Sequence, residues 1–220
     1  MLKILRCGGE NLNIPKSEIV RYTLGKDDEM LNNAIEKCKS ELLPSITAKA
    51  CYDEADVKIC GDTLDLGFAK VNSKKLAKNL SECEKVVVFA ATLGIEADRY
   101  LQKCSLISPA SALVAQGTCA AAIEAWCDKI CEILSEEFAP LFLRPRFSPG
   151  YGDLSLEVQK DIISYLDCRR KIGLTLTNSL MLTPTKSVTA FVGLGKSEKI
   201  CNIRGCGACN MKNCVFKKEK

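Results

Sequence analysis

Residues 144–153 (RPRFSPGYGD) constrain the fold most, because this segment cannot continue a helix or a regular strand. Pro145 and Pro149 each hold φ at about −65° and lack a backbone N–H. Gly150 and Gly152 permit positive φ and allow the main chain to approach a ligand closely. The sequence therefore predicts a rigid, shaped loop here.

Two side chains of this loop are suited to ligand binding. Arg146 offers paired donors that match a carboxylate or a phosphate, and Tyr151 offers a flat ring with one hydroxyl. Such a pair suits a small molecule that carries an amino acid or a nucleoside. The alternative is an ordinary proline and glycine turn whose arginines are solvated.

The composition predicts a soluble globular protein. The chain has 220 residues, 47% of them hydrophobic and 26% charged, which suits one domain with a short appendage. We expect no membrane insertion and no secretory signal, since no apolar run is long enough and residues 1–7 are followed by Gly8, Gly9 and Glu10. The net charge of +4 is too small, and the aromatic residues too scattered, to predict nucleic-acid binding. A cytoplasmic location is predicted.

The chain has 14 cysteines and no histidine. So many thiols favour a reducing compartment. The absence of histidine excludes Ser-His and Cys-His nucleophilic systems and every histidine-ligated metal. Most of the cysteines are interpreted as small hydrophobic residues that pack in the interior. This interpretation covers Cys38, Cys51, Cys60, Cys104, Cys119, Cys127, Cys131 and Cys168.

The carboxy-terminal residues 201–220 are predicted to form a separate metal-binding or cluster-binding tail. Cys201, Cys206, Cys209 and Cys214 give the pattern CxxxxCxxCxxxxC. Four thiolates satisfy tetrahedral zinc or an iron–sulfur cluster, and the first three share the spacing of plant-type ferredoxins. The fourth departs from that spacing, so zinc and iron–sulfur both stay open, as do unliganded thiols.

The periodicity of apolar residues predicts an α+β fold with a mainly antiparallel twisted sheet and flanking helices. The predicted helices are 15–22, 26–43, 73–80 with Ser73 as its cap, one that begins near Glu96, 109–136 and 155–171. The predicted strands are a hairpin within 56–66, a buried strand at 85–91, and a β pair formed by 174–177 and 187–192.

The predicted helix 109–136 carries a stripe of small residues that ends in carboxylates. Gly117, Ala120, Ala121, Glu124 and Asp128 recur at helical spacing. A carboxylate beside a small-residue groove can receive a ligand ammonium. The same stripe can also serve to let another helix pack closely, and the sequence leaves both interpretations open.

The RxxxxGY pattern of Arg146, Gly150 and Tyr151 resembles the signature of the S-adenosylmethionine-binding activation domain of cobalamin-dependent methionine synthase. Three other stretches are similar to short, stand-alone relatives of that domain. They are 83–94 (CEKVVVFAATLG), 117–128 (GTCAAAIEAWCD) and 184–190 (PTKSVTA). The resemblance is strongest over residues 56–194, and residues 1–200 are interpreted as the activation-like domain.

The resemblance implies an S-adenosylmethionine site in which Arg146 clasps the methionyl carboxylate. Gly150 and Tyr151 would line the methionyl and adenosyl region, and Glu124 would offer a carboxylate. Main-chain contacts would come from the late strand at Ser187, Val188 and Thr189.

The resemblance also implies a role as a component of the cobalamin-dependent methionine synthase system. The chain would support reductive methylation, or reactivation, of cobalamin on a separately encoded methionine synthase or related corrinoid methyltransferase. A flavodoxin-type or ferredoxin-type reductant is a further expected partner. The alternative hypothesis is an iron–sulfur or zinc-binding electron-transfer or docking protein that works through its carboxy-terminal cysteines.

Overall fold

The computed structural model of the chain describes residues 1–24 and 27–197 and has the predicted α+β architecture. Its strands are β1 Lys3–Gly8, β2 Thr47–Asp56, β3 Lys58–Cys60, β4 Thr63–Asp65, β5 Lys70–Asn72, β6 Cys83–Thr92, β7 Phe142–Leu143, β8 Thr175–Leu176, β9 Leu182–Thr183 and β10 Ser187–Gly195. Its helices are α1 Lys16–Thr23, α2 Glu29–Leu42, α3 Lys74–Asn79, α4 Ile95–Ile107, α5 Pro109–Glu137, α6 Val158–Tyr165 and α7 Cys168–Ile172. The predicted metal ligands Cys201, Cys206, Cys209 and Cys214 lie outside the described residues.

The main sheet has five strands in the order β1-β2-β6-β10-β7. Neighbouring strands are antiparallel throughout, as predicted. The predicted buried strand at 85–91 is confirmed as β6, which pairs with β2 on one side and β10 on the other. Residues 86–92 of β6 are all buried, because both faces of the sheet are covered.

Side chains of β6 alternate between two hydrophobic cores. Val87, Phe89 and Ala91 face the core formed with α1, α2, α4 and α5, which we call the helix core. Val86 and Val88 face the core formed with α3, α6, α7 and the three-stranded sheet β3-β4-β5, which we call the small-sheet core. This alternation assigns each side chain of the adjacent strand β10 to one core or the other.

The interpretation of the scattered cysteines as packing residues is confirmed for most of them. Those that are buried are Cys38, Cys51, Cys104, Cys119, Cys127 and Cys168. Burial raises the pKa of the Cys119 thiol to about 12, so this side chain stays neutral and packs as a small hydrophobic group. Cys60 is exposed and Cys131 is only half-buried, so the interpretation is wrong for Cys60 and holds only in part for Cys131.

Helix α5 crosses the helix core and confirms the predicted helix at 109–136. Its small-residue stripe is occupied by α1: a Cβ added to Gly117 would lie 2.6 Å from Thr23 Cγ2 and 3.2 Å from the carbonyl oxygen of Ile19. Close packing between helices therefore explains the glycine, and the carboxylates lie further along α5. None of the helices within residues 1–24 and 27–197 is long and apolar enough to cross a membrane.

The prediction of one helix over 155–171 is wrong. The structure has two short helices, α6 and α7, separated at Asp167, whose backbone is left-handed with φ of 47°. Aspartate tolerates this conformation better than most residues because its short side chain can bond locally. The break turns Cys168 and Ile172 into the small-sheet core.

The predicted pairing of strands 174–177 and 187–192 is also wrong. Thr175–Leu176 pairs with Leu182–Thr183 across a tight turn, in which the N–H of Thr177 donates to the carbonyl of Met181 at 2.9 Å. Pro184 has no N–H and ends this small hairpin. Strand β10 begins after it and pairs instead with β6 and β7.

We predict that Gly117→Ala lowers the free energy of unfolding by about 1–3 kcal/mol, as overpacking does elsewhere. Alanine is the better helix former, so a site with free space would gain stability. The loss is expected because the atoms that a Cβ would meet include the backbone of α1. Chemical denaturation monitored by circular dichroism measures the change.

Gly8→Ala is the matched control. Gly8 has φ of −63°, and a Cβ there would meet only the side-chain nitrogen of Asn11, at 3.3 Å. Its free energy of unfolding should change by less than about 0.5 kcal/mol. Equal effects of the two substitutions would contradict the packing explanation.

Candidate ligand-binding site

The first half of the loop at 144–153 runs along the edge of β10. The N–H of Arg144 donates to the carbonyl of Gly193 at 2.8 Å. Phe147 and Phe191 exchange two main-chain hydrogen bonds of 2.9 Å. This half is thus more regular than the sequence predicted, and Pro145 is tolerated because it lies on a sheet edge.

The second half of the loop is a tight turn, as predicted. Gly150 and Gly152 both have positive φ, at 82° and 66°. The N–H of Gly150 donates to the carbonyl of Leu154 at 2.9 Å. A Cβ on Gly152 would lie 2.6 Å from Cδ of Lys75, so the loop packs directly on the start of α3.

Asp153 fastens the end of the loop to α3. Its carboxylate accepts a hydrogen bond from the Ser73 hydroxyl at 2.5 Å and from the N–H of Lys75 at 3.3 Å. Ser73 is the predicted cap of this helix and accepts from the N–H of Leu76. The Ser73 hydrogen bond, followed by backbone donors, lowers the pKa of Asp153 below its ordinary value.

Arg146 extends over α5, where two carboxylates bind its guanidinium. Nη2 donates to Glu124 Oε2 at 2.9 Å, and Nη1 lies 2.9 Å from Asp128 Oδ1. The Arg146 side chain is 24% exposed. Burial acts to lower the pKa of Arg146, but the surrounding Cys127, Cys131, Glu124 and Asp128 raise it above its ordinary value. The guanidinium is thus a fixed positive charge at the edge of the helix core.

Tyr151 contacts the side of the loop that packs on the small-sheet core, whereas Arg146 faces α5. Its ring meets Phe147 edge-on, with the ring centroids 5.3 Å apart, and Phe147 belongs to the small-sheet core. The Tyr151 residue is 46% exposed. The sequence predicted a guanidinium beside a phenol ring, whereas Arg146 contacts α5 and Tyr151 contacts Phe147.

The start of β10 offers main-chain groups beside this loop. In an antiparallel ladder the N–H and C=O of alternate residues point to the same side. The N–H and C=O of Phe191 point toward Phe147, away from β6. The N–H and C=O of Thr189, two residues earlier, therefore point to the same side of β10. The loop has turned away by Ser148, and within the described residues no main-chain hydrogen bond joins Thr189 to it.

The side chains of the predicted strand contacts are already engaged or buried. The Ser187 hydroxyl donates to the carbonyl of Pro184 at 2.7 Å and lies 2.8 Å from Thr92 Oγ1. Val188 packs against the helix core. Thr189 is buried, and its hydroxyl has no hydrogen-bond partner among the residues that the structure describes. Main-chain contact through Thr189 is therefore the contribution that this strand can make to a ligand.

The structure thus brings Arg146 and Glu124 into direct contact. Gly150 and Tyr151 lie further along the same loop, in the part that has turned away from β10 toward α3. The structure also adds Asp128, which sequence reasoning had placed on the same stripe as Glu124 without pairing it to Arg146. The spacing of the two carboxylates, one helical turn apart, was the signal for this pairing.

Arg144 is a second residue whose position the sequence did not predict. Its side chain is buried, Nη1 donates to the carbonyl of Ser197 at 3.1 Å, and Nη2 lies 3.6 Å from Glu82. Gly195 leaves room for it, because a Cβ there would lie 2.7 Å from Cζ of Arg144. Arg144 and Arg146 therefore have different surroundings although they are two residues apart.

An open cleft of about 410 Å³ lies near the opposite end of β6. It includes none of the predicted site residues. Its walls are Glu54, Ala55, Asp56, Leu66, Gly67, Phe68, Lys85 and Tyr165. The rings of Phe68 and Tyr165 stack at 4.2 Å, and Lys85 pairs with Glu54 at 3.1 Å. The Tyr165 hydroxyl donates to the carbonyl of Glu54 at 3.3 Å. The loop at 144–153 carries the residues that the sequence predicted, and we take it as the candidate site.

No group of three or more cysteine, aspartate or glutamate residues within 1–24 and 27–197 is arranged to hold a metal ion. The four predicted ligands of the tail lie beyond this part of the chain.

No protein-family model matches the chain, and no curated protein matches it. Among solved structures it is similar to the crystal structure of the MetH reactivation domain bound to AdoHcy, with a TM-score of 0.62 and 14% sequence identity. The similarity covers 88% of this chain and 78% of that one. At this level of identity the likeness shows the fold, a curled antiparallel sheet with flanking helices.

We predict that Asp153→Asn destabilises the protein at pH 7 and that its effect shrinks in acid. The folded-state pKa of Asp153 is lowered, so its stabilisation is present above the unfolded-state pKa of about 3.9 and is lost as the pH falls through the folded-state pKa. Unfolding midpoints of the two proteins at pH 7 and pH 3 measure this.

A Ser73→Ala background serves as the control. Because the Ser73 hydroxyl is the main cause of the lowered pKa, the effect of Asp153→Asn should be smaller in that background. A difference from wild type that is the same at both pH values would show that Asp153 does not fasten the loop through its charge.

Proposed function

We propose that the chain is an S-adenosylmethionine-binding module that supports the reductive methylation of cobalamin on a separately encoded methionine synthase or related corrinoid methyltransferase. The observation that carries the proposal is the Arg146–Glu124 pair, at 2.9 Å, beside the edge of β10. It occurs in a fold similar to a domain crystallised with AdoHcy, which is the product left when S-adenosylmethionine gives up its methyl group.

The pair suits the amino-acid end of this ligand. An α-amino acid carries a carboxylate and an ammonium on the same carbon, so its two charges need a cation and an anion close together. Arg146 would bind the carboxylate through charge-assisted hydrogen bonds, and Glu124 would bind the ammonium. Both partners lie on rigid parts of the fold, the fastened loop and α5.

The nucleoside end would lie along the loop and the strand edge. The Tyr151 ring is held by its edge contact with Phe147 and is 46% exposed, so it can pack against a ligand. Gly150, whose positive φ favours glycine, presents no side chain at that point of the loop. The N–H and C=O of Thr189 form an adjacent donor and acceptor, which suits the edge of an adenine ring.

Catalysis in this proposal consists of positioning. The sulfonium makes the methyl group electrophilic, and a corrinoid on a partner protein accepts it. The chain's own residues would orient the ligand and keep its methyl group accessible, and no side-chain base is needed. This agrees with a chain that contains no histidine. The electron would come from a flavodoxin-type or ferredoxin-type reductant.

The corrinoid is assigned to a partner protein because this chain contains no histidine. A histidine-bearing motif that ligates cobalt from below cannot exist on a chain without histidine. A cobalamin-binding methionine synthase subunit is therefore the proposed partner, and this chain would bring the methyl donor to it.

We predict that Arg146→Ala weakens S-adenosylmethionine binding by about 10-fold to 100-fold, the range expected for one lost charge-assisted contact. Isothermal titration calorimetry under anaerobic conditions measures the affinity, and circular dichroism verifies folding of the variant. Glu124→Gln should also weaken binding.

Arg169→Ala is the control, because Arg169 is an exposed arginine on α7. Its affinity should equal that of the wild type. Absence of binding by the wild type, or unchanged affinity of Arg146→Ala, would refute the proposed site.

The four-cysteine motif supports a second function, which is metal or cluster binding at Cys201, Cys206, Cys209 and Cys214. We propose that this tail binds zinc or an iron–sulfur cluster, which would give the chain an electron-transfer or docking role. The two functions are compatible, since the tail and the loop at 144–153 use different residues.

We predict that anaerobically purified protein contains zinc or iron and that a Cys206→Ser, Cys209→Ser double variant loses it. Elemental analysis measures the metal, and absorbance in the visible range distinguishes a cluster from zinc. Cys60→Ser, at an exposed thiol of β3, should keep the wild-type metal content. Wild-type protein without either metal would refute the tail as a metal site.

A further inference from the structure

The two carboxylates on α5 bind Arg146 in unequal ways. Glu124 Oε2 accepts an aligned hydrogen bond from Nη2 at 2.9 Å. Asp128 Oδ1 lies equally close to Nη1, but the pair is not aligned as a hydrogen bond: Nη1 is buried and has no hydrogen-bond partner among the described residues. The Asp128 side chain is 69% exposed, compared with 44% for Glu124. Asp128 is therefore the more weakly held of the two.

This arrangement affects any ligand that brings its own carboxylate. Arg146 carries one positive charge, and Glu124 and Asp128 together carry two negative charges. A ligand carboxylate at Arg146 would be the third anion around one guanidinium. Like charges at this separation repel, and the mostly buried position of the Arg146 side chain reduces screening by water.

Asp128 can relieve this repulsion at low cost. Its side chain is mostly exposed, so it can rotate into water and regain hydration, and exposed ion pairs contribute little stability. Glu124 is less exposed and makes the aligned hydrogen bond, so it would stay in place. Nη1, which is released by Asp128, then offers its donors to the ligand carboxylate.

We propose that Asp128 acts as a latch on Arg146. It holds the guanidinium while the site is empty and is displaced by the carboxylate of the incoming ligand. Asp128 thereby sets the affinity for ligands that carry an amino-acid carboxylate. This inference rests on the proposed S-adenosylmethionine site.

The test measures the binding of two probes, one with no net charge and one cationic, to the wild type and to Asp128→Asn. AdoHcy has a carboxylate and no net charge, which avoids a general effect of the lost negative charge on a cationic ligand. Its decarboxylated analogue, 5′-deoxy-5′-(3-aminopropylthio)adenosine, keeps the ammonium and lacks the carboxylate. Titration calorimetry at low ionic strength gives the four affinities.

We predict that Asp128→Asn binds AdoHcy about 3-fold to 10-fold more tightly than the wild type, the effect of removing one partly exposed competing charge. The analogue should not gain affinity. Asp128→Ala should behave in the same way, which guards against a new hydrogen bond from the asparagine. Glu136→Gln, at an exposed position about 12 Å further along α5, should change neither affinity.

The outcomes separate the two ideas. If the wild type binds AdoHcy and Asp128→Asn binds it equally or more weakly, the latch is refuted and the proposed function stands. Equal gains for AdoHcy and the analogue would also refute it, because the effect would then not concern the carboxylate. A wild type that binds neither AdoHcy nor S-adenosylmethionine would refute both.

Discussion

The loop at 144–153 is fixed to the sheet by the two main-chain hydrogen bonds between Phe147 and Phe191. Because side chains alternate along an extended segment, this pairing sends Phe147 into the small-sheet core and leaves Arg146 facing α5. The same pairing ends where the loop turns away, so no strand of the described part of the chain pairs with the main chain of Thr189 on that side. The candidate site thus follows from one pair of residues on the edge of β10.

Electrostatics determines what the site can accept. A guanidinium that is three-quarters buried needs nearby anions, and α5 provides them at two positions one helical turn apart. This compensation holds the Arg146 side chain in place, and it also means that the guanidinium is already paired with two carboxylates. The proposed ligand carries both signs of charge, so its ammonium would satisfy a carboxylate while its own carboxylate would bind Arg146.

The features predicted from sequence are those that depend on local chemistry. The Ser73 cap, the buried strand β6 and the long helix α5 each follow from neighbouring residues, as do the positive φ angles of Gly150 and Gly152. Features that depend on distant partners were missed. Strands β1 and β2 were not predicted, because β2 mixes alanines with charged residues and is buried only through its neighbours. The contact of Arg146 with Asp128 and the burial of Arg144 likewise depend on elements distant in sequence.

Arg144 and Arg146 connect the loop to two different parts of the fold. Arg144 binds the carbonyl of Ser197 and so fixes the point at which the chain leaves β10 toward the four-cysteine segment. Arg146 binds α5 and is the residue that we propose to bind the ligand carboxylate. Pro145 between them has a fixed φ, and its carbonyl accepts a hydrogen bond from Asn79 at 3.2 Å, so the main chain that carries both arginines is held in place. Adjacent positions of one loop therefore hold the end of β10 and the candidate site, even though the two arginines bind different elements.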